Sequence, residues 1–187
     1  MLARPVVDQK LAFAVYLRLL GAVLYGFLPP EAEAEMRAAA ARLRLQDQAP
    51  GQVMLRSVGL RHAAWLGLDE QRNRMRRAWG AFFRDWDVLL CPAHAVPAQP
   101  HQQGAAPHDM QVTINGVSES WSAMLFWPGV ISAMLLPASA APLGLSREGL
   151  SIGCQIVGPM QGDRTTIAVA GMLEKLMGGF VAPPGWG

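Results

Sequence analysis

Cys91 and His94 are the first residues in this sequence whose types could do covalent chemistry, a thiol close to an imidazole able to take its proton. Pro92 lies between them, and Cys91 ends the continuous apolar run Val88-Leu89-Leu90-Cys91. A small buried hydrophobe fits Cys91 better than a nucleophile does. Cys154, in an alternating apolar run between Gly153 and Gln155, also fits a core position. His94, His101 and His108 recur every seven residues with Asp109 beside the last, and three imidazoles with a carboxylate could ligate zinc. Their segment holds Pro92, Pro97, Pro100 and Pro107 and lacks the tight His-x-x-x-His spacing of a helical site. Exposed loop histidines fit better, and no metal is expected. Ser118, Ser120 and Ser122 alternate, but spacing alone sets no Ser-His-Asp geometry. Pro97-Ala98-Gln99-Pro100 has the form of a polyproline ligand, a string that proline-rich loops produce by chance. Neither a dinucleotide fingerprint nor a phosphate-binding loop occurs, so no cofactor is expected.

The elements that would position these residues follow from periodicity. Ala12, Val15, Tyr16, Leu19 and Val23 fall at helical spacing, predicting a helix over 6–27 that Pro29-Pro30 ends. A second helix is predicted over 31–45, with Glu31, Glu33 and Glu35 at its start and Arg37, Arg42 and Arg44 toward its end, the order a helix dipole favours. Its apolar stripe is Met36, Ala39, Ala40 and Leu43. A third helix is predicted from about Asp69 to Arg84, with Met75, Ala78, Trp79, Phe82 and Trp86 as its apolar stripe. Arg72, Arg74, Arg76 and Arg77 fit a solvated helix face better than a nucleic-acid patch.

Beyond Asp87 the texture changes. The Val88–Cys91 run and the alternating Ile152–Val157 read as buried strands, and Gln111 to Ser118 reads as a hairpin turning at Asn115-Gly116. Gly162-Asp163 is expected to cap a last helix whose core face is Val169, Met172, Leu173 and Leu176, stopped by Gly178-Gly179. Helices mixed with strands imply an α/β layered fold, a mainly helical segment 1–87 followed by an α/β segment 88–187. No internal repeat is visible.

The chain has 187 residues, 51% hydrophobic and 16% charged, which excludes a disordered or collagen-like class. Mean hydropathy is +0.19, pointing to unusually complete burial or a large interface. The net charge of +2, with no basic tail, gives no reason to expect nucleic acid. Residues 1–90 carry 13 basic and 9 acidic side chains, and residues 91–187 carry 3 and 5. Two cysteines cannot staple a secreted scaffold, so a reducing, cytoplasmic setting is expected. Leu11 to Leu28 is mostly apolar and follows Arg4 and Lys10, which would suit the basic start of a signal peptide. Arg18 sits at its centre, where a charge costs roughly 2.5–3.5 kcal/mol in a bilayer. A soluble helix explains the segment better than a leader or a membrane span.

Several blocks resemble a known family. Trp79-Gly80-Ala81-Phe82-Phe83-Arg84-Asp85-Trp86-Asp87-Val88-Leu89-Leu90-Cys91-Pro92 is similar to the carboxy-terminal part of amidase-signature enzymes, where a helix with paired aromatics leads into an Asp-apolar-Leu-Leu-x-Pro strand. Leu136-Pro137-Ala138 is similar to their Gly-Leu-Pro-Ala element. Gly149-Leu150-Ser151-Ile152-Gly153-Cys154-Gln155-Ile156-Val157-Gly158-Pro159 resembles their Gly-Leu-Pro-Val-Gly-Val-Gln-Ile-Ile-Gly strand. Asp163-Arg164-Thr165, heading the last helix, and Gly178-Gly179-Phe180 continue the order. The resemblance covers roughly 70–187 well and 1–69 loosely. Leu135 stands where the family has glycine, and Ser151 where it has proline.

The resemblance implies the carboxy-terminal part of a hydrolase acting on carbon–nitrogen amide bonds, with helices packed on a mixed sheet. It also exposes an absence. The family's Ser–cis-Ser–Lys triad needs adjacent serines and a lysine well upstream, whereas this chain has no Ser-Ser dipeptide and only Lys10 and Lys175. No catalytic residue is therefore expected here, and the chain alone should be inactive. His94 and Trp127 are the candidates for a substrate-pocket wall, Trp127 because a bulky aromatic at a Trp127-Pro128-Gly129 turn could wall a cleft. The implied partners are a missing amino-terminal amidase half or self-association, and a small amide substrate once completed. Two alternatives remain open: a transamidating subunit of a tRNA-dependent amidotransferase, and a non-catalytic interaction module.

Overall fold

A computed structural model describes residues 5–104, 110–179, 182 and 185. Helix α1 (Gln9–Tyr25) starts where Asp8 accepts hydrogen bonds from the Lys10 and Leu11 amides. Helix α2 (Pro30–Ala41) follows the predicted proline break and buries no side chain. A short helix, α3 (Pro50–Leu55), is not anticipated by periodicity. It opens on a proline at its first position, and the Gln52 side chain returns to accept from the Ala49 amide. Helix α4 (His62–Phe82) begins earlier than the apolar stripe suggests. Its first turns are exposed and carry no stripe to read.

Strand β1 (Leu89–Pro92) is followed by a separate hairpin of β2 (Gln111–Ile114) and β3 (Val117–Ser120). The hairpin turns at Asn115-Gly116, both with positive φ, a conformation that glycine adopts without steric cost. A 3₁₀ turn at Trp121–Leu125 leads into α5 (Phe126–Ala133). Strand β4 (Ala138–Leu145), strand β5 (Ser151–Val157) and helix α6 (Asp163–Met177) complete the order. The main sheet runs β1-β5-β4, and both of its ladders are antiparallel.

Strand alternation sends the two faces of this sheet to different cores. Cys154, Ile156 and Ala141 pack under α6, against Val169, Ala170 and Leu173. Cys91 and Val157 face the other way, into a cluster with Ala12 and Val15 of α1, Met75 and Trp79 of α4, and Val130 and Ile131 of α5. This larger core joins the helical segment to the α/β segment. Met172 and Leu176, expected on the core face of α6, are instead exposed. Asp163 makes no side-chain cap, and Gly162 occupies the capping position. Gly178, left-handed, ends α6 as expected.

The largest departures from the sequence reading are β4 and α5. Strand β4 contains Pro142 and Gly144 and no β-branched residue, so its sequence reads as irregular. Among the described residues it pairs on one side only, with a register shift between Pro142 and Gly144, a position that tolerates proline. Trp127-Pro128-Gly129 reads as a turn but lies in the first turns of α5, where proline costs little. Gly129 is needed there for packing, because a methyl group on its α-carbon would overlap the Tyr16 ring of α1.

Leu135 adopts a φ of +54°, the left-handed conformation that favours the glycine its family position implies. Its side chain is half exposed, so little packing offsets that strain. Leu135→Gly should therefore raise stability by about 1 kcal/mol, read as a higher thermal midpoint by circular dichroism. An unchanged or lower midpoint would show that the leucine side chain contributes more than its backbone costs.

Candidate functional site

The thiol of Cys91 faces the larger core and is pushed up to about 11, first by burial and then by the nearby Cys154. That is the reverse of an activated nucleophile. Its polar neighbour is Gln155, whose Nε2 donates to Cys91 Sγ at 3.9 Å and to the Pro92 carbonyl at 3.1 Å. Cys91 stands opposite Gln155 in the β1–β5 ladder, so Cys154 points to the other face of the sheet and cannot bridge to it. Both thiols are free.

His94 lies in the exposed loop after β1, and its Nδ1–H donates to the Met124 carbonyl at 3.3 Å. The carbonyl can only accept, so Nδ1 is the donor in this contact. No Cys91–His94 contact forms among the described residues. Ser118 Oγ donates to Gln111 Oε1 at 3.3 Å, and Ser120 Oγ accepts from the Ser122 amide, so neither engages a histidine. Among the described residues no three metal-ligating side chains converge. His108 and Asp109, with Pro107, lie outside the described residues, as does Phe180.

The hairpin, the His94 loop and two helices instead enclose an apolar cleft of about 520 Å³. Phe13 of α1, Phe126 and Trp127 of α5, and Ala95 beside His94 form its walls, and Ile114, Val117 and Glu119 of the hairpin form its outer side. The aromatic wall is braced by edge-to-face contacts, Phe126 to Trp127 and Phe126 to Phe13, each with centroids 5.3 Å apart. Trp127 thus lines a cleft from a helix, not from a turn, and His94 is held beside it. The size suits a small organic ligand. Phe13, Phe126 and Glu119 are the lining residues that sequence patterns do not single out. For Glu119 a signal exists. Val112, Ile114, Val117 and residue 119 share one hairpin face by register, and only Glu119 breaks its apolar pattern.

The arginines of α4 are partly neutralised in place, two carboxylates serving three of the four. Arg74 and Arg77 pair with Glu70, and Arg72 pairs with Asp69. Arg18 of α1 is half-buried, its Nε donating to Ser57 Oγ at 3.0 Å. Burial, and then the neighbouring Arg56, lower its affinity for the proton. No helix among the described residues is long and apolar enough to cross a membrane.

The family model for amidases matches residues 14–167. Fatty-acid amide hydrolase 2-B of Danio rerio is 34% identical over 114 residues, covering 61% of this chain and 19% of that protein. A glutamyl-tRNA(Gln) amidotransferase subunit of Methylocella silvestris is 39% identical over 131 residues, 70% of this chain and 25% of that protein. A solved amidase superposes with a TM-score of 0.66 at 21% identity, covering 91% of this chain and 37% of that one. The chain therefore spans about a quarter or less of the length of these curated relatives.

Proposed function

This chain belongs to the amidase family, and from that membership we propose that it forms the carboxy-terminal segment of an enzyme that hydrolyses carboxamides. Within that enzyme, residues 1–87 and 88–187 make one incomplete domain, and the aromatic cleft is part of the substrate wall. His94 and Trp127 border the bound amide. The nucleophile comes from a Ser–cis-Ser–Lys set that these 187 residues do not carry. The observation that carries this reading is the family match over 14–167, which spans every lining residue of the cleft except Phe13.

Two buried free cysteines fit a reducing cytoplasm. The transamidating alternative is supported by the likeness to the Methylocella amidotransferase. Asp69 and Glu70 offset two of the four arginine charges on α4, which lowers the gain from a tRNA contact there, because a cation already paired to a carboxylate gains less from phosphate.

The purified chain, incubated alone with aryl and alkyl carboxamides, should release no ammonia. Combined with a polypeptide carrying the Ser–cis-Ser–Lys residues, it should give turnover that falls about tenfold in kcat/KM with Trp127→Ala, the effect of losing one well-packed aromatic contact. Robust turnover by the chain alone, abolished by Cys91→Ala, would overturn the reading and make Cys91 and His94 the catalytic pair.

A further inference from the structure

The loop after β1 brings Ala95 to the cleft, yet its residues 93–104 form neither helix nor strand. Without a backbone ladder, side-chain hydrogen bonds to neighbouring elements decide where such a segment lies. At its root, Gln155 of β5 donates to the Pro92 carbonyl at 3.1 Å. Toward its far end, Gln102 accepts from the Gln111 amide at 3.1 Å and donates to the Gln111 carbonyl at 2.7 Å, which joins the loop to β2. Between these ties, His94 Nδ1 donates to the Met124 carbonyl at 3.3 Å. This middle tie is the one beside the ligand space, because its two ends adjoin the lining residues Ala95 on the loop and Ala123 on the 3₁₀ turn. The turn is itself held to the hairpin, where the Trp121 amide donates to the Met110 carbonyl at 3.0 Å. His94 is not among the residues that line the cleft.

We propose that His94 is a positioning residue, whose Nδ1–H fastens the Ala95 part of the wall to the part formed by Ala123 and Phe126, and that it acts in this way rather than by touching the amide. The proposal rests on the reading of the cleft as an amide-binding wall. With the latch made, Ala95 keeps its place in the wall that Phe126 and Trp127 share. With it broken, the loop is tied at Pro92 and Gln102 alone among the described residues, and a ligand packed on Ala95 loses that contact. The two ring nitrogens give this role a signature. Asparagine carries its NH₂ on Cγ, as histidine carries Nδ1, whereas glutamine carries its NH₂ one bond further out, nearer the place of Nε2.

The test is a calorimetric titration of the purified chain and three variants with 2-naphthamide, an uncharged aromatic primary amide. His94→Asn keeps a donor at the Nδ1 place and should bind within about twofold of the unsubstituted chain. His94→Ala and His94→Gln should bind about fivefold more weakly, the change expected for one ordinary hydrogen bond. Amide hydrogen exchange of residues 93–96 should rise in those two variants and stay as it is in His94→Asn. Circular dichroism checks that each variant folds, as an exposed loop position allows. Rescue by glutamine and not by asparagine would put Nε2 on the ligand and overturn the proposal. Equal affinities in all four proteins, equal losses in all three variants, or no binding by the unsubstituted chain would do the same. The amidase reading fails differently, by absence of hydrolysis in the completed enzyme while the asparagine rescue persists.

Discussion

Trp79→Ala should lower stability by about 3–5 kcal/mol, enough to bring thermal unfolding down by roughly 10 °C or more. Trp79 is 1% exposed and sits where α4 meets α1, α5 and the sheet. It touches both halves of the chain, so its removal opens a cavity at their only large shared core among the described residues. Its ring lies 5.9 Å from Phe83 and 6.2 Å from Phe82. Its indole Nε1 is buried without a hydrogen-bond partner among the described residues, so its contribution is packing alone. Trp79→Phe separates the two effects, removing an unsatisfied N–H that costs about 1–3 kcal/mol while losing part of the ring volume. It should cost clearly less than the alanine variant. Trp86→Ala provides the contrast, since Trp86 is 46% exposed and stacks on Phe82. Its midpoint should shift by a few degrees at most. Equal losses at Trp79 and Trp86, measured by circular dichroism melts, would contradict the assigned core.

In solution the chain should associate, with a mass that rises with concentration in light scattering and an unfolding midpoint that rises with it. The cause is the apolar side chains of α6 that the sheet does not cover, where Ile167 is 64%, Met172 61% and Leu176 80% exposed. Leu90 of β1, on the same side of the sheet, is also exposed. Burying one such side chain contributes about 1.5–3 kcal/mol, so a few of them together can offset the entropy cost of association. Strands β1 and β4 each pair on one side only among the described residues, which adds open backbone edges. Replacing Ile167 and Met172 by glutamine and Leu176 by lysine should weaken association at least tenfold, about 1.4 kcal/mol, while leaving helix content intact. A monodisperse monomer with a sharp, concentration-independent transition would mean that these faces require no cover. The chain would then close its own core, against the reading of an incomplete domain.

Much of the fold was legible because its signals are local. The Asn115-Gly116 turn, the proline break after α1 and the left-handed stop at Gly178 each depend on a few neighbouring residues. The apolar spacing of α1 and α4 and the continuous run of β1 needed no partner to be recognised. Strand β4 and helix α5 were not legible for the same reason. Pro142, Gly144, Pro128 and Gly129 are local break signals, overridden by pairing to β5 and by packing against Tyr16.

By itself the sequence determined the family, through ordered motifs from Trp79 to Gly179, and the absence of a Ser-Ser and lysine set. It also marked His94 and Trp127 as candidates for a wall. Only the tertiary structure decided that Trp127 lines a cleft whose wall includes Ala95, next to His94, that the hairpin borders it, and that Met172 and Leu176 have no cover among the described residues. The division has a physical cause. Turn, cap and periodic preferences act over a few residues along the chain, whereas exposure depends on which distant surfaces arrive. An apolar stripe of the same spacing is core at Val169 and Leu173, where the sheet meets it, and open surface at Met172 and Leu176, where nothing described does.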